Sequence, residues 1–280
     1  MVLLWAVSVC RPNVVGADEK AEITDDALRT VLTEAVHNSS TREKTDKSAS
    51  EDLTVKQLES LRFLNAEGRE IQSLQGLEHC RQLTELNLAR NQIADITPLA
   101  GCEHLRVLRL NQNRVRSAEP LSTLQALMFL NIADNEIDST ESLRRLSDLK
   151  VLIADRNRIA SVAPLAGLPH LHSLFVADNR LTDTEGLSKC PDLAALVLSD
   201  NEISDVTGLT DLQRLRRLFL NGNPITDLHP LETAAWIQPS DSVLSVPGQL
   251  YLSEHPPDSA IASQTESMRK LGVRVTIVSP

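Results

Sequence analysis

The amino-acid sequence predicts an α/β repeat solenoid. Each unit should supply one short strand and return through a tight turn or 3₁₀ segment, and stacking the units buries their leucines. Two observations carry the prediction. From Leu61 the chain repeats every 22 residues through eight units, and within each unit apolar residues alternate over a short stretch, as in a strand. A third observation agrees: both ends of the repeat region break the pattern and read as caps. A solenoid needs such ends, because its terminal coils would otherwise expose raw core.

The elements follow in chain order. Residues 1–17 contain one apolar run, Val2–Cys10, followed by small residues at Gly16 and Ala17. Its length fits the hydrophobic region of an export signal, but no Lys or Arg precedes it, and a short buried or frayed segment is the other reading. Loss of the first 16–17 residues from the native protein would separate the two. Residues 18–60 read as a helical cap. The stretch 23–36 is amphipathic, with Leu28, Val31, Leu32, Ala35 and Val36 on one face, Thr24 as N-cap, and Ile23 placed to staple Leu28. A polar linker (37–50) follows. A second short helix then starts at Thr54, which with Gln57 forms a capping box, Leu53 facing Leu58.

The repeats occupy residues 61–236. One column reads Leu64, Leu86, Leu108, Leu130, Leu152, Leu174, Leu196 and Leu218. Five residues after each stand Arg69 and then Asn91, Asn113, Asn135, Asn157, Asn179, Asn201 and Asn223. An asparagine there can bond the backbone where the chain leaves the strand. The return legs carry Pro98, Pro120, Pro164, Gly186, Gly208 and Pro230, which favours tight turns over long helices. Cys80, Cys102 and Cys190 share a column with Leu124 and Leu146 and therefore read as small apolar core residues. Cys80 and Cys102 lie on adjacent coils, so a disulfide is also open to them if the protein is exported. Residues 237–280 begin irregularly and then suggest a strand, a helix near 258–271 stopped at Gly272, and a closing strand.

The unit L-x-x-L-x-L-x-x-N-x-I resembles the leucine-rich repeat family. It is most similar to the 22-residue type of bacterial internalins and of phosphatase-regulator leucine-rich proteins. The helical start resembles the N-terminal cap of internalin-like proteins, and the end resembles the terminal cap of many bacterial leucine-rich proteins. The resemblance implies a right-handed, curved solenoid with a parallel β-sheet on the concave face and short turns or 3₁₀ segments on the convex face, and it implies that outward strand residues carry the function.

Those outward residues form two columns. The central one changes from Asn65, Asn87, Arg109 and Asn131 to Ile153, Phe175, Val197 and Phe219. Its neighbour contains Phe63, Phe129, Val151, Ala195 and Arg217, so all four phenylalanines fall on one face of a chain with 2 % aromatics. From Ile153 to Phe219 the strand spacing implies an apolar ridge about 14 Å long. Such a patch suits a partner protein. Cross-strand stabilisation of the sheet, or coverage by the capping region or the irregular loop 232–249, would also account for it. Arg90, Asp134, Arg156, Asp178 and Asp200, with Asp155, border the ridge, and Arg109, Arg114 and Arg116 form a basic cluster. These charges read either as a solvated surface or as groups that orient a partner. The expected partner-binding set is Phe129, Val151, Ile153, Phe175, Val197, Phe219, Arg109, Asp155 and Arg217.

Other function classes fit poorly. A net charge of −10 opposes nucleic-acid binding, and no run of about 18 apolar residues suggests a membrane span. No nucleophile elbow, phosphate-cradling glycine loop or H-E-x-x-H occurs, and His170 with His172 lacks a third ligand. A non-enzymatic, monomeric, cofactor-free binder of another protein is expected. It is either exported and envelope-associated or an intracellular scaffold.

Overall fold

A computed structural model describes residues 19–39, 53–237, 248–257 and 259–278. The apolar run Val2–Cys10, the points Gly16 and Ala17, most of the polar linker and the irregular stretch 238–247 lie outside the described residues.

Among the described residues, ten strands form one parallel sheet in chain order. Eight belong to the repeats: β1 (Phe63–Asn65), β2 (Glu85–Asn87), β3 (Val107–Arg109), β4 (Phe129–Asn131), β5 (Val151–Ile153), β6 (Ser173–Phe175), β7 (Ala195–Val197) and β8 (Arg217–Phe219). The capping strands are β9 (Gln249–Ser253) and β10 (Arg274–Val278). Within the repeats each residue pairs with the one 22 positions later, as Leu130 does with Leu152. The 22-residue period is therefore also the register of the sheet. In every repeat strand the middle leucine is buried between two outward residues. The leucine columns stack into one core that runs the length of the solenoid.

Two devices end each strand after three residues. The residue before the asparagine column takes a left-handed backbone in all eight coils: Gly68 and Gly222, and between them Arg90, Gln112, Asp134, Arg156, Asp178 and Asp200, with φ of 52–60° for these six. The asparagine that follows is directed inward and joins neighbouring coils. Asn157 is representative: its Nδ2 donates to the carbonyls of Ile132, Ala154 and Asp155 at 2.9–3.2 Å, and its Oδ1 accepts from Ile137 N at 3.0 Å. The same pattern recurs from Asn91 to Asn223. Backbone groups that would otherwise be orphaned at the turn are thereby satisfied. In the first coil Arg69 replaces asparagine, and its amide donates to Asn91 Oδ1 at 3.0 Å.

The return legs are short 3₁₀ segments, such as Thr97–Gly101, Glu119–Thr123 and Ala163–Leu165, each with proline in its first turn. That placement suits a residue without an N–H. Cys80, Cys102 and Cys190 are buried free thiols, so Cys80 and Cys102 are not bonded. Burial pushes the Cys102 thiol up to about 12 and raises the other two as well, which leaves all three protonated and unreactive.

The N-terminal cap comprises α1 (Asp26–Ser39) and α2 (Val55–Glu59). Leu28, Val31, Leu32 and Val36 of α1 are buried, while Ala35 is only partly so. The Thr54–Gln57 capping box is present. The N-cap of α1, however, is Asp25 and not Thr24: Leu28 N donates to Asp25 Oδ1 at 2.9 Å. Tertiary contact decides between two good capping residues. Asp25 Oδ2 also accepts from Gln72 N at 2.8 Å and Ser73 N at 3.1 Å, clamping the cap onto the first coil. Residues 19–21 complete the junction by pairing antiparallel with 53–55.

Burial alone would raise the pKa of Asp25, but the amides of Gln72, Leu28, Ser73 and Ala27 outweigh it and hold the carboxyl below its usual range. Its stabilising contribution is therefore complete above the unfolded value near about 3.9 and is lost as pH falls through the lower folded value. Asp25→Asn keeps a capping oxygen and removes the charge. We expect the variant to be less stable than the parent at pH 7, with the two denaturation midpoints converging as pH falls from about 5 to 2. A constant gap across that range would exclude the carboxylate as the clamp.

At the other end, α3 (His229–Glu232) closes the last coil. Helix α4 (Ala260–Lys270), capped by Ser259, ends before Gly272 (φ 91°), and β10 follows. Gln264 of α4 ties this unit to the last coil, accepting from Leu228 N at 2.8 Å and donating to Asp227 at 2.6 Å.

Candidate functional site

The side-chain direction imposed by the strands places the candidate residues. Phe129, Val151, Ile153, Phe175, Val197 and Phe219 all lie on the outward face, half-buried beside one another, while Leu130, Leu152, Leu174, Leu196 and Leu218 point into the core. Phe63 lies farther along the face and is 63 % exposed. It borders an open cleft of about 520 Å³ between α1 and the first strands.

Sheet register joins the ridge residues in sequence: Ile153 lies opposite Phe175, Phe175 opposite Val197, and Val197 opposite Phe219. The ridge then continues into the cap. Phe219 lies opposite Tyr251 of β9, and their rings stack with centroids 3.9 Å apart and planes 7° from parallel. Sequence reasoning missed Tyr251, because the 22-residue count breaks before it. The signal was the alternating Gln-Leu-Tyr-Leu-Ser of the final strand.

The charged residues divide into different roles. Arg109 lies over the ring of Phe129, 5.1 Å from its centroid, at the edge of the ridge. Arg114 and Arg116 do not join it in a cluster: Arg114 reaches Gln92, and Arg116 pairs with Glu136 at 3.1 Å. Arg217 is exposed at the start of β8. Asp155 borders the face and also ties two coils, accepting from Ala177 N at 2.8 Å. Burial raises its pKa, although that amide and Arg156 act in the opposite direction. Arg156 is committed to Asp134 through two hydrogen bonds. His170 lies 3.9 Å from Asp192. No group of three or more His, Cys, Asp or Glu is placed to hold a metal among the described residues. Among the same residues, no helix is long and apolar enough to cross a membrane.

The family model for leucine-rich repeats matches residues 59–101 and 191–233, at two places in the stacked coils. The chain folds as a leucine-rich repeat solenoid. Its repeats have an internalin-like build. Internalin C2 of Listeria monocytogenes superposes with a TM-score of 0.69 at 28 % identity, over 81 % of this chain and 93 % of that one. A leucine-rich repeat protein of Leptospira interrogans shares the fold, with a TM-score of 0.66 at 23 % identity over 79 % of this chain and 55 % of that one. No curated protein sequence matches significantly.

Proposed function

We propose that this leucine-rich repeat solenoid is a non-enzymatic binding module that grips another protein through its concave face. The observation that carries the reading is the row Ile153, Phe175, Val197, Phe219 and Tyr251. It is an outward apolar ridge that the leucine core does not require, on a surface otherwise short of aromatics. Aromatic side chains concentrate binding energy because they bury a large area at little entropic cost. The stacked Phe219–Tyr251 pair also stiffens the sheet, and a rigid anchor serves binding as well. Export to the envelope or medium fits the apolar run Val2–Cys10 and the internalin-like build.

The test uses the full chain as bait and compares it with Phe175→Ser/Phe219→Ser. Both side chains lie on the outward face, outside the leucine core, so the variant should keep the circular dichroism of the folded parent, which is checked before binding is compared. We expect affinity for a captured protein to fall at least about 100-fold, the usual scale for removing two anchors. Capture that survives the double change in a folded variant would remove the ridge from the binding site.

A further inference from the structure

The rows that border the apolar ridge differ in sign. On the side where the strands begin, Lys150, Arg216 and Arg217 are exposed and form no ion pair among the described residues. Asp192 in this row is matched by Arg214 at 2.6 Å, leaving Asp148 as the acid set against the three bases. On the side where the strands end, Asp178 and Asp200 are exposed and form no ion pair among the described residues. Asp155 stands in the same border, and its one basic neighbour, Arg156, is committed to Asp134. The concave face is thus a basic flank, an apolar spine and an acidic flank, side by side.

We infer that the partner presents an amphipathic helix of three to four turns, with one acidic and one basic flank, laid along the axis of the solenoid. The inference rests on the concave-face reading above. The spine crosses five strands, from Ile153 to Tyr251, or about 19 Å, which is the length of about 13 helical residues. A helix offers one apolar side chain per turn of about 5.4 Å, close to the strand spacing of about 4.8 Å. An extended peptide repeats a face only every 6.6 Å or so and falls out of step with the rows. The flanks then fix the helix against rolling: its bases meet Asp178 and Asp200, and its acids meet Lys150, Arg216 and Arg217. A uniformly charged helix would place like charges against one flank, which complementary interfaces avoid.

Three synthetic helical peptides of about 15 residues test this. They share one leucine stripe, and their flanks are Lys on one side with Glu on the other, Lys on both sides, or Glu on both sides. Binding to the full chain is followed by fluorescence anisotropy at low salt. The split-charge peptide should bind about tenfold more tightly than either uniform one, and the difference should shrink in about 0.5 M NaCl. Asp178→Lys/Asp200→Lys should make the all-Glu peptide the tightest binder. A uniform peptide that binds the parent chain as tightly as the split one, absence of split-peptide binding up to about 1 mM, or an unchanged order in the charge variant would overturn the inference. If Phe175→Ser/Phe219→Ser releases a captured protein while the peptides show no charge order, the helical partner is excluded and the concave-face reading stands. If those serines release neither a captured protein nor the peptides, both fail.

Discussion

Replacing Asn201 with alanine is expected to lower the free energy of unfolding by about 3 kcal/mol, measured by urea denaturation. The side chain is buried, and its Nδ2 donates to the carbonyls of Val176, Leu198 and Ser199 at 2.9–3.1 Å. Its Oδ1 accepts from Leu181 N at 3.0 Å. Alanine leaves that N–H without its acceptor inside the stack, a deficit of roughly 1–3 kcal/mol by itself. Asn201→Asp should be no better, since a second carboxylate oxygen would face three carbonyls. Asn131→Ala supplies the contrast: that side chain lies on the outward face and holds only Ala133 N at 3.1 Å, so its loss should cost less than about 1 kcal/mol. Equal losses at the two positions would show that the inward asparagines are not the joints between coils.

The second large effect is expected at Gly222. Its φ of 74° already disfavours any side chain, and a β-carbon there would run into the Asp200 carboxylate and approach Asp200 N to 2.9 Å. Gly222→Ala should therefore cost about 2–3 kcal/mol, combining left-handed strain with a clash against backbone. The opposite change at an equivalent place should help. Gln112 adopts a φ of 59° in the same column, and Gln112→Gly relieves strain of about 1–2 kcal/mol against a loss of about 0.5–1 kcal/mol in chain entropy. A net gain of about 0.5 kcal/mol is expected in urea denaturation. A fall in stability for Gln112→Gly would mean that its side chain contributes more than the strain it imposes.

The solenoid itself was readable because leucine spacing and sheet register are one number. Phe175 and Phe219 were placed outward correctly by simple alternation next to Leu174 and Leu218. The left-handed column was not readable, because Arg, Gln and Asp occupy most of it. Gly68 and Gly222 were the hint, and they stand at its two ends. Thr24 and Asp25 are comparable capping residues, and only the amides of Gln72 and Ser73, 47 and 48 residues away, select Asp25. Tyr251 joined the ridge through pairing across the register break, a relation that no periodicity count contains.

Strand order equal to chain order has a consequence for how the molecule is built. Each coil needs only its predecessor as a template, so a chain emerging from a ribosome or a membrane pore can wind up from its leading end without waiting for distant partners. The Asp25 clamp supplies the first template as soon as residues 72 and 73 arrive. The aromatic surface is then laid down strand by strand and becomes whole only when the last unit brings Tyr251 against Phe219.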